Sequence, residues 1–344
     1  MGGPNQGINR RDFLKQSARG TGLLALGAAV GEGLARAGDR DKSANPFAYN
    51  VSDWEKTDPA LLHYQNVGRF MVANPEPRRI AVGPKDHLYV ATRRGVSMVD
   101  QEGGSLGEIP CDSPARCVAV AADGMIYIGL RDHVEVFNPK SERIASWEAP
   151  SKKAWLTGLA AGETDLFVAD SAGRCVLRYD RGGKLLSRIG QKNKEHNIPG
   201  LIVPSPYLDV DLGRDGLLRV NNPGRHCVEL YTRNGDLESS WGKPSAAIEG
   251  FCGCCNPVGL AVLPDGKCIT CEKGLPRVKV YSAEGSFDCV VAGPESFVEN
   301  GKPGSTHDLS DGTMGGLDAA ADSAGRIYVL DLVVGSVRVM QRKV

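Results

Sequence analysis

The chain has 344 residues, with 41 basic and 41 acidic side chains, 41% apolar and 6% aromatic residues, 43 Gly, 20 Pro and 10 Cys. A formal charge of zero is wrong for a nucleic-acid backbone binder, which clusters Lys and Arg in excess. The apolar runs are too short for a multispan membrane protein, whose helices need ~20 consecutive apolar residues. Glycine is about 12% of the chain against a usual ~7%. It recurs in pairs such as Asp123-Gly124, Asp215-Gly216 and Asp265-Gly266, which predicts many short strands joined by tight turns.

The chain opens with Asn9-Arg10-Arg11-Asp12-Phe13-Leu14-Lys15, a Gly/Ala-rich apolar stretch from Gly20 to Val30, and Ala35-Arg36-Ala37. The stretch is too short to span a bilayer, and the whole resembles a twin-arginine (Tat) export signal with its A-x-A cleavage site. The resemblance implies removal of residues 1–37, leaving 36 basic against 39 acidic side chains. It also implies passage through the Tat translocase, a periplasmic or extracellular location, and a mature protein without a membrane span. That route carries folded proteins, often with a cofactor already inserted. No Cys lies near the cleavage site, which argues against a lipoprotein anchor. Residues 38–60 read as an extended arm.

From residue 61 onward one pattern recurs: K-D-H-L-Y-V at 85–90, D-G-M-I-Y-I at 123–128, E-T-D-L-F-V at 163–168, D-G-L-L-R-V at 215–220, D-G-K-C-I-T at 265–270 and A-G-R-I-Y-V at 324–329. Each copy follows a small apolar strand, such as Ile80-Ala81-Val82, and precedes an alternating one ending in a bulky residue. Six units of about four antiparallel strands predict an all-β, six-bladed propeller over residues 61–344. A seventh blade is the alternative, if residues 47–62 hide another unit. The units resemble the NHL repeat, most closely in L-F-V-A-D at 166–170 and in residues 260–271. The resemblance implies the propeller fold but no single function, because NHL-like propellers include lyases, lactonase-like hydrolases and binding modules. The sixth unit lacks an outer strand of its own, so residues 61–70 are expected to supply it and close the ring.

The longest connections, 191–206, 243–257 and 294–315, all join one blade to the next and should emerge on one face, where sites are usually built. Aligned on their turns, the first strands place Arg79, Cys117, Thr157, Asp209, Gly259 and Asp318 in one register, a ring at the channel mouth on that face. Arg79, Asp209 and Asp318 are the candidate cofactor-binding residues of this ring. Asp170, Asn222, Glu272 and Asp331 form a second ring, read as holding the following turns by hydrogen bonds.

Cys252, Cys254 and Cys255 lie within four residues of one another in the loop entering the fifth unit. Cys271 ends a strand of that unit on the same face, Cys117 is a ring member and Cys111 precedes it. Thiolates ligate soft metals and clusters, and the two-residue gap between Cys252 and Cys255 lets both sulfurs reach one centre. The leading expectation is therefore an iron–sulfur cluster, of [4Fe–4S] type, at the channel mouth, serving electron transfer or sensing with an unknown redox or protein partner. The neighbours Cys254 and Cys255 are not expected to bridge each other. Cys175, Cys227, Cys268 and Cys289 read as ordinary buried thiols.

Two other function classes compete. One is a binding module without a prosthetic group, with paired cysteines and a face that captures a peptide or glycan. The other is a lyase- or lactonase-type enzyme with a channel metal. Zn or Cu would draw on His133, His196, His226 or His307, and Ca on Asp209, Asp318 and Asn256. No G-x-S-x-G, P-loop or H-E-x-x-H pattern occurs.

Overall fold

The computed structural model describes residues 52–299, 302–303 and 316–344. The export-signal reading of residues 1–37 lies outside them.

Six four-stranded antiparallel sheets are arranged as a propeller. Blade one comprises Arg79–Val82, Leu88–Thr92, Gly95–Val99 and Ser105–Pro110. Blade two comprises Cys117–Val120, Ile126–Gly129, Val134–Phe137 and Arg143–Ser146, and blade three Leu156–Ala161, Asp165–Asp170, Cys175–Asp180 and Leu185–Ile189. Blade four comprises Val210–Leu212, Leu218–Asn222, Cys227–Tyr231 and Leu237–Trp241, and blade five Gly259–Val262, Cys268–Cys271, Val278–Tyr281 and Phe287–Ala292. Blade six takes Leu317–Ala321, Ile327–Asp331 and Ser336–Arg342 from the end of the chain. Its outermost strand is Tyr64–Met71 from the beginning. That strand runs antiparallel to the last one, from Tyr64 opposite Arg342 to Met71 opposite Ser336. Residues 52–62 add no seventh blade; they hold the single 3-10 turns Ser52–Trp54 and Pro59–Leu61.

Burial explains the strand chemistry. Each innermost strand packs on the next, and the sixth returns to the first. Second and third strands are sandwiched between blades and are covered on both faces, as in Ile126–Gly129, whereas the outer strand Arg143–Ser146 is largely exposed. Six apolar clusters fill the six interfaces between neighbouring blades, for example Cys117, Leu156, Leu166 and Val168 between blades two and three. The hairpin turns predicted from the Asp-Gly pairs have Gly216 and Gly266 at φ of 79° and 89°, with open space where a Cβ would stand, so backbone conformation alone asks for glycine there.

Blade three departs from the sequence alignment. Leu156 opposes Asp170 and Gly158 opposes Ala169, so Thr157 is the extra residue of a β-bulge. The residue equivalent to Arg79 and Cys117 is therefore Gly158, one place beyond the expected Thr157.

Candidate functional site

The ring at the channel mouth is closed by one side chain. Arg79 leaves blade one and crosses the axis, its Nη1 lying 2.7 Å from Asp318 Oδ1 and 3.2 Å from Asp209 Oδ2. Its Nε donates to the Thr157 carbonyl at 2.8 Å and its Nη2 to the Val258 carbonyl at 3.2 Å. One guanidinium thus joins blades one, three, four and six and the entry to blade five. The carboxylates are bound on their other sides as well. Ile80 N–H donates to Asp318 Oδ2, Leu260 N–H to Asp209 Oδ2 and Val210 N–H to Asp209 Oδ1. Gly259 makes room: a Cβ there would stand 2.8 Å from Asp318 Oδ1 and 3.1 Å from Arg79 Nη1.

Burial opposes the Arg79 charge, but Asp209 and Asp318 outweigh it and hold the group more firmly protonated than usual. Two carboxylates against one cation leave an excess negative charge. Burial, helped by Asp318 and opposed by Arg79, pushes Asp209 up to about 7. Asp318 is also raised, chiefly by burial. The candidate residues Arg79, Asp209 and Asp318 are thus brought together, bound to one another at the edge of the channel cavity that all three help to line. The calcium set fares similarly, because Asn256 spends its side chain on the carbonyls of Cys252 and Lys273 and the Lys273 N–H.

On one side of Arg79 the channel holds a cavity of about 180 Å³ whose walls carry small aliphatic side chains such as Ala81, Ala119 and Ala321 together with the charged groups of Arg79, Asp209, Asp211 and Asp318. On the long-loop side the floor is cationic. Arg78, Arg79, Arg116, Thr157, Pro206 and Tyr207 line a recess of about 40 Å³. The Arg116 guanidinium carbon lies 3.9 Å from the Trp155 ring centroid, and that of Arg131 5.3 Å from the same ring. Lys273 is 9% exposed and places Nζ 4.1 Å from the Tyr207 ring. Arg78 is paired with Glu76 at 3.2 Å, but among the described residues no carboxylate pairs with Arg116, Arg131 or Lys273. Burial and the neighbouring charges of Arg78 and Arg131 bring Arg116 down to about 10.

The six candidate thiols fall into three settings: the loop that holds Cys252, Cys254 and Cys255, the Arg79 network beside Cys117 and Cys271, and the surroundings of Cys111. Cys254 and Cys255 have their sulfurs 3.3 Å apart. Their hydrogen bond, with burial second, raises the Cys254 thiol. Cys252 is raised by burial and feels Arg277 and Glu272. Cys117 and Cys271 are buried beside the Arg79 network, Cys117 pushed up to about 12 by burial and Cys271 well above its usual value. Cys111, also pushed to about 12 by burial, sits just past the outer strand of blade one, near Asp112 and Glu135 of blade two. All ten cysteines are free. The histidines are scattered too. His133 pairs with Asp132, His196 lies 3.9 Å from Asp236, and His226 Nε2 is 2.7 Å from the Gly253 carbonyl; His307 is outside the described residues. Among the described residues, the set of ligand atoms close enough to share an ion is His63, Asp288 and Cys289, within 4.8 Å of one another. There Lys267 at 2.8 Å and Arg342 at 3.6 Å already hold Asp288.

The cysteine loop is rigidly mounted. Glu272, fully buried, receives Arg277 at 2.8 Å and Lys279 at 2.9 Å and accepts the Cys252 N–H. Arg277 donates to the carbonyls of Ala246 and Gly250, and Lys279 to those of Ile248 and Gly250. The second ring acts in part as read from sequence. Asp170 and Asp331 hold the turns that follow them, accepting the N–H groups of Gly173 and of Val333 and Val334, whereas Asn222 and Glu272 accept from the preceding loops, at Ile202 and Cys252, and Asp170 also accepts from Trp155.

The chain matches no protein-family model and no curated protein. Solved structures share its architecture. A streptogramin B lyase superposes with a TM-score of 0.55 at 14% identity, over 83% of this chain and 100% of its own. Virginiamycin B lyase from Staphylococcus aureus gives 0.55 at 14%, over 81% and 100%. A Bacteroides thetaiotaomicron protein of unknown function gives 0.52 at 14%, over 81% and 76%. At this identity the likeness is one of fold and carries no activity across.

Proposed function

We propose that this chain is an exported, NHL-like propeller that captures an anionic ligand on its long-loop face. The observation that carries the reading is the Arg116 guanidinium, stacked on Trp155 at the mouth of a channel that Arg79 has closed. A ligand approaching from this side meets a floor of cations, and guanidinium groups suit planar, bidentate oxyanions. Tryptophan fluorescence titrated with acetate, sulfate and a tricarboxylate at low salt tests it. At least one of these anions should quench the signal of the native chain, and Arg116→Gln should abolish the response; indifference to all three would sink the reading. Export rests on Arg10 and Arg11, and replacing both with Lys should retain the precursor in the cytoplasm.

A second reading makes the thiols the working groups, holding an iron–sulfur cluster or other soft metal for electron transfer. It is favoured by the contact between the Cys254 and Cys255 sulfurs on a rigidly mounted loop. Protein purified without oxygen should then contain iron and sulfide, and Cys255→Ser should lose both.

A further inference from the structure

We infer that the ligand of this face is an acidic oligosaccharide, its carboxylate over Arg116 and Arg78 and a sugar ring lying in the groove beside them. The inference rests on the anion-capture reading above. An open groove of about 280 Å³, near the small end of ligand sites, is walled by Trp155, Ser171, Ala172 and residues 203–206. Pro206 also lines the cationic recess, and Trp155 lies under Arg116, so recess and groove adjoin.

Three buried polar atoms here lack a hydrogen-bond partner: Arg78 Nε, Trp155 Nε1 and Ser205 Oγ. Two can only donate, and buried donors left unmade are costly. Together they ask for a ligand rich in acceptors. Lys273, more than nine-tenths buried and set against the Tyr207 ring that lines the recess, adds a positive charge that no carboxylate pairs with among the described residues. A uronate-type sugar meets both demands. Its carboxylate fits the guanidinium fork, its hydroxyls can accept from Trp155 and Ser205, and its C–H face is flat enough to lie on Trp155, Pro204 and Pro206. A peptide held through its backbone would need an unpaired strand edge. Loops wall this groove, and the Ser205 carbonyl is taken by the Tyr207 N–H at 2.7 Å.

The test is calorimetry on the full chain with four probes: a galacturonic acid trimer, its neutral methyl ester, a glutamate-rich hexapeptide and acetate. The acidic trimer should bind. Its ester should bind at least about tenfold more weakly, a factor worth about 1.4 kcal/mol, and Arg116→Gln should weaken the acid by at least as much. Trp155→Phe, which keeps a ring under Arg116 but loses Nε1, should weaken the trimer by a larger factor than it weakens acetate. Arg214→Gln, on the opposite mouth beside Asp211, should change nothing. Equal binding of acid and ester overturns the carboxylate role, and tighter binding of the hexapeptide overturns the sugar class while anion capture stands. If no probe, acetate included, binds in an Arg116-dependent way, both readings fall. The acid–ester comparison needs no variant, so it holds even where a substitution prevents folding.

Discussion

Two buried ion networks in this molecule are near mirror images in charge and differ in what they join. At the axis one cation, Arg79, faces two carboxylates and ties together strands up to 239 residues apart. Under the cysteine loop one carboxylate, Glu272, faces two cations, Arg277 and Lys279, all within blade five and its entry loop. The first is a condition for the ring to be closed at its centre, and the second is a local clamp. Burying ions is expensive in both places, and each stands because its remaining polar atoms meet backbone groups.

Removing each central ion should separate the two networks by the reach of the damage. Arg79→Met leaves two buried carboxylates facing each other and should cost about 3 to 5 kcal/mol of global stability, read as a fall in guanidinium midpoint at unchanged slope. Glu272→Gln should cost less, about 2 to 3 kcal/mol, and the loss should concentrate in faster amide exchange over residues 243–257. Equal global losses would mean that the clamp is not local. Gly259→Ala sharpens the axial half, because its methyl would crowd Asp318 and Arg79; about 1 to 2 kcal/mol is expected for such overpacking. The two centres also differ in pH dependence, where they should slope in opposite directions. Asp209 has a folded value of about 7 against 3.8, so the folded chain keeps a proton that the unfolded chain releases, and stability is lost as pH rises from 3.8 to about 7. Lys279, lowered chiefly by burial to about 8 from 10.5, lacks a proton the unfolded chain holds, so stability grows as pH rises between those values. Asp209→Asn should flatten the fall and Lys279→Met the rise in a urea titration series.

The blades and the closing strand were legible because turn and strand recur with little change in spacing, so each copy could be checked against five others. The axial residues were legible as a register, not as partners. That Arg79 would reach Asp209 and Asp318 depends on the length of one side chain and the width of the channel, which no local pattern encodes. Thr157 was misplaced by one because a bulge leaves no mark in the apolar pattern. The cationic floor was missed, although a signal existed: Arg78 and Arg116 each stand one residue before a ring position, where their side chains turn toward the mouth. The cysteines were legible as a dense group but not by their surroundings: Cys117 and Cys271 lie beside the Arg79 network, Cys252 beside Arg277 and Glu272, and Cys111 beside Glu135.

The pairing of Tyr64–Met71 with Ser336–Arg342 has a consequence for biosynthesis. Among the described strands, the first to leave the ribosome is the last to find its partner. At ~5–20 residues per second, the 265 residues from Met71 to Ser336 take roughly a quarter of a minute to one minute to make. Throughout that interval the nascent chain carries an unpaired strand edge, the feature by which β-proteins adhere to one another. A chaperone that binds extended segments near the amino terminus therefore has a defined window in which to act, and the window shuts when the carboxyl-terminal strand arrives.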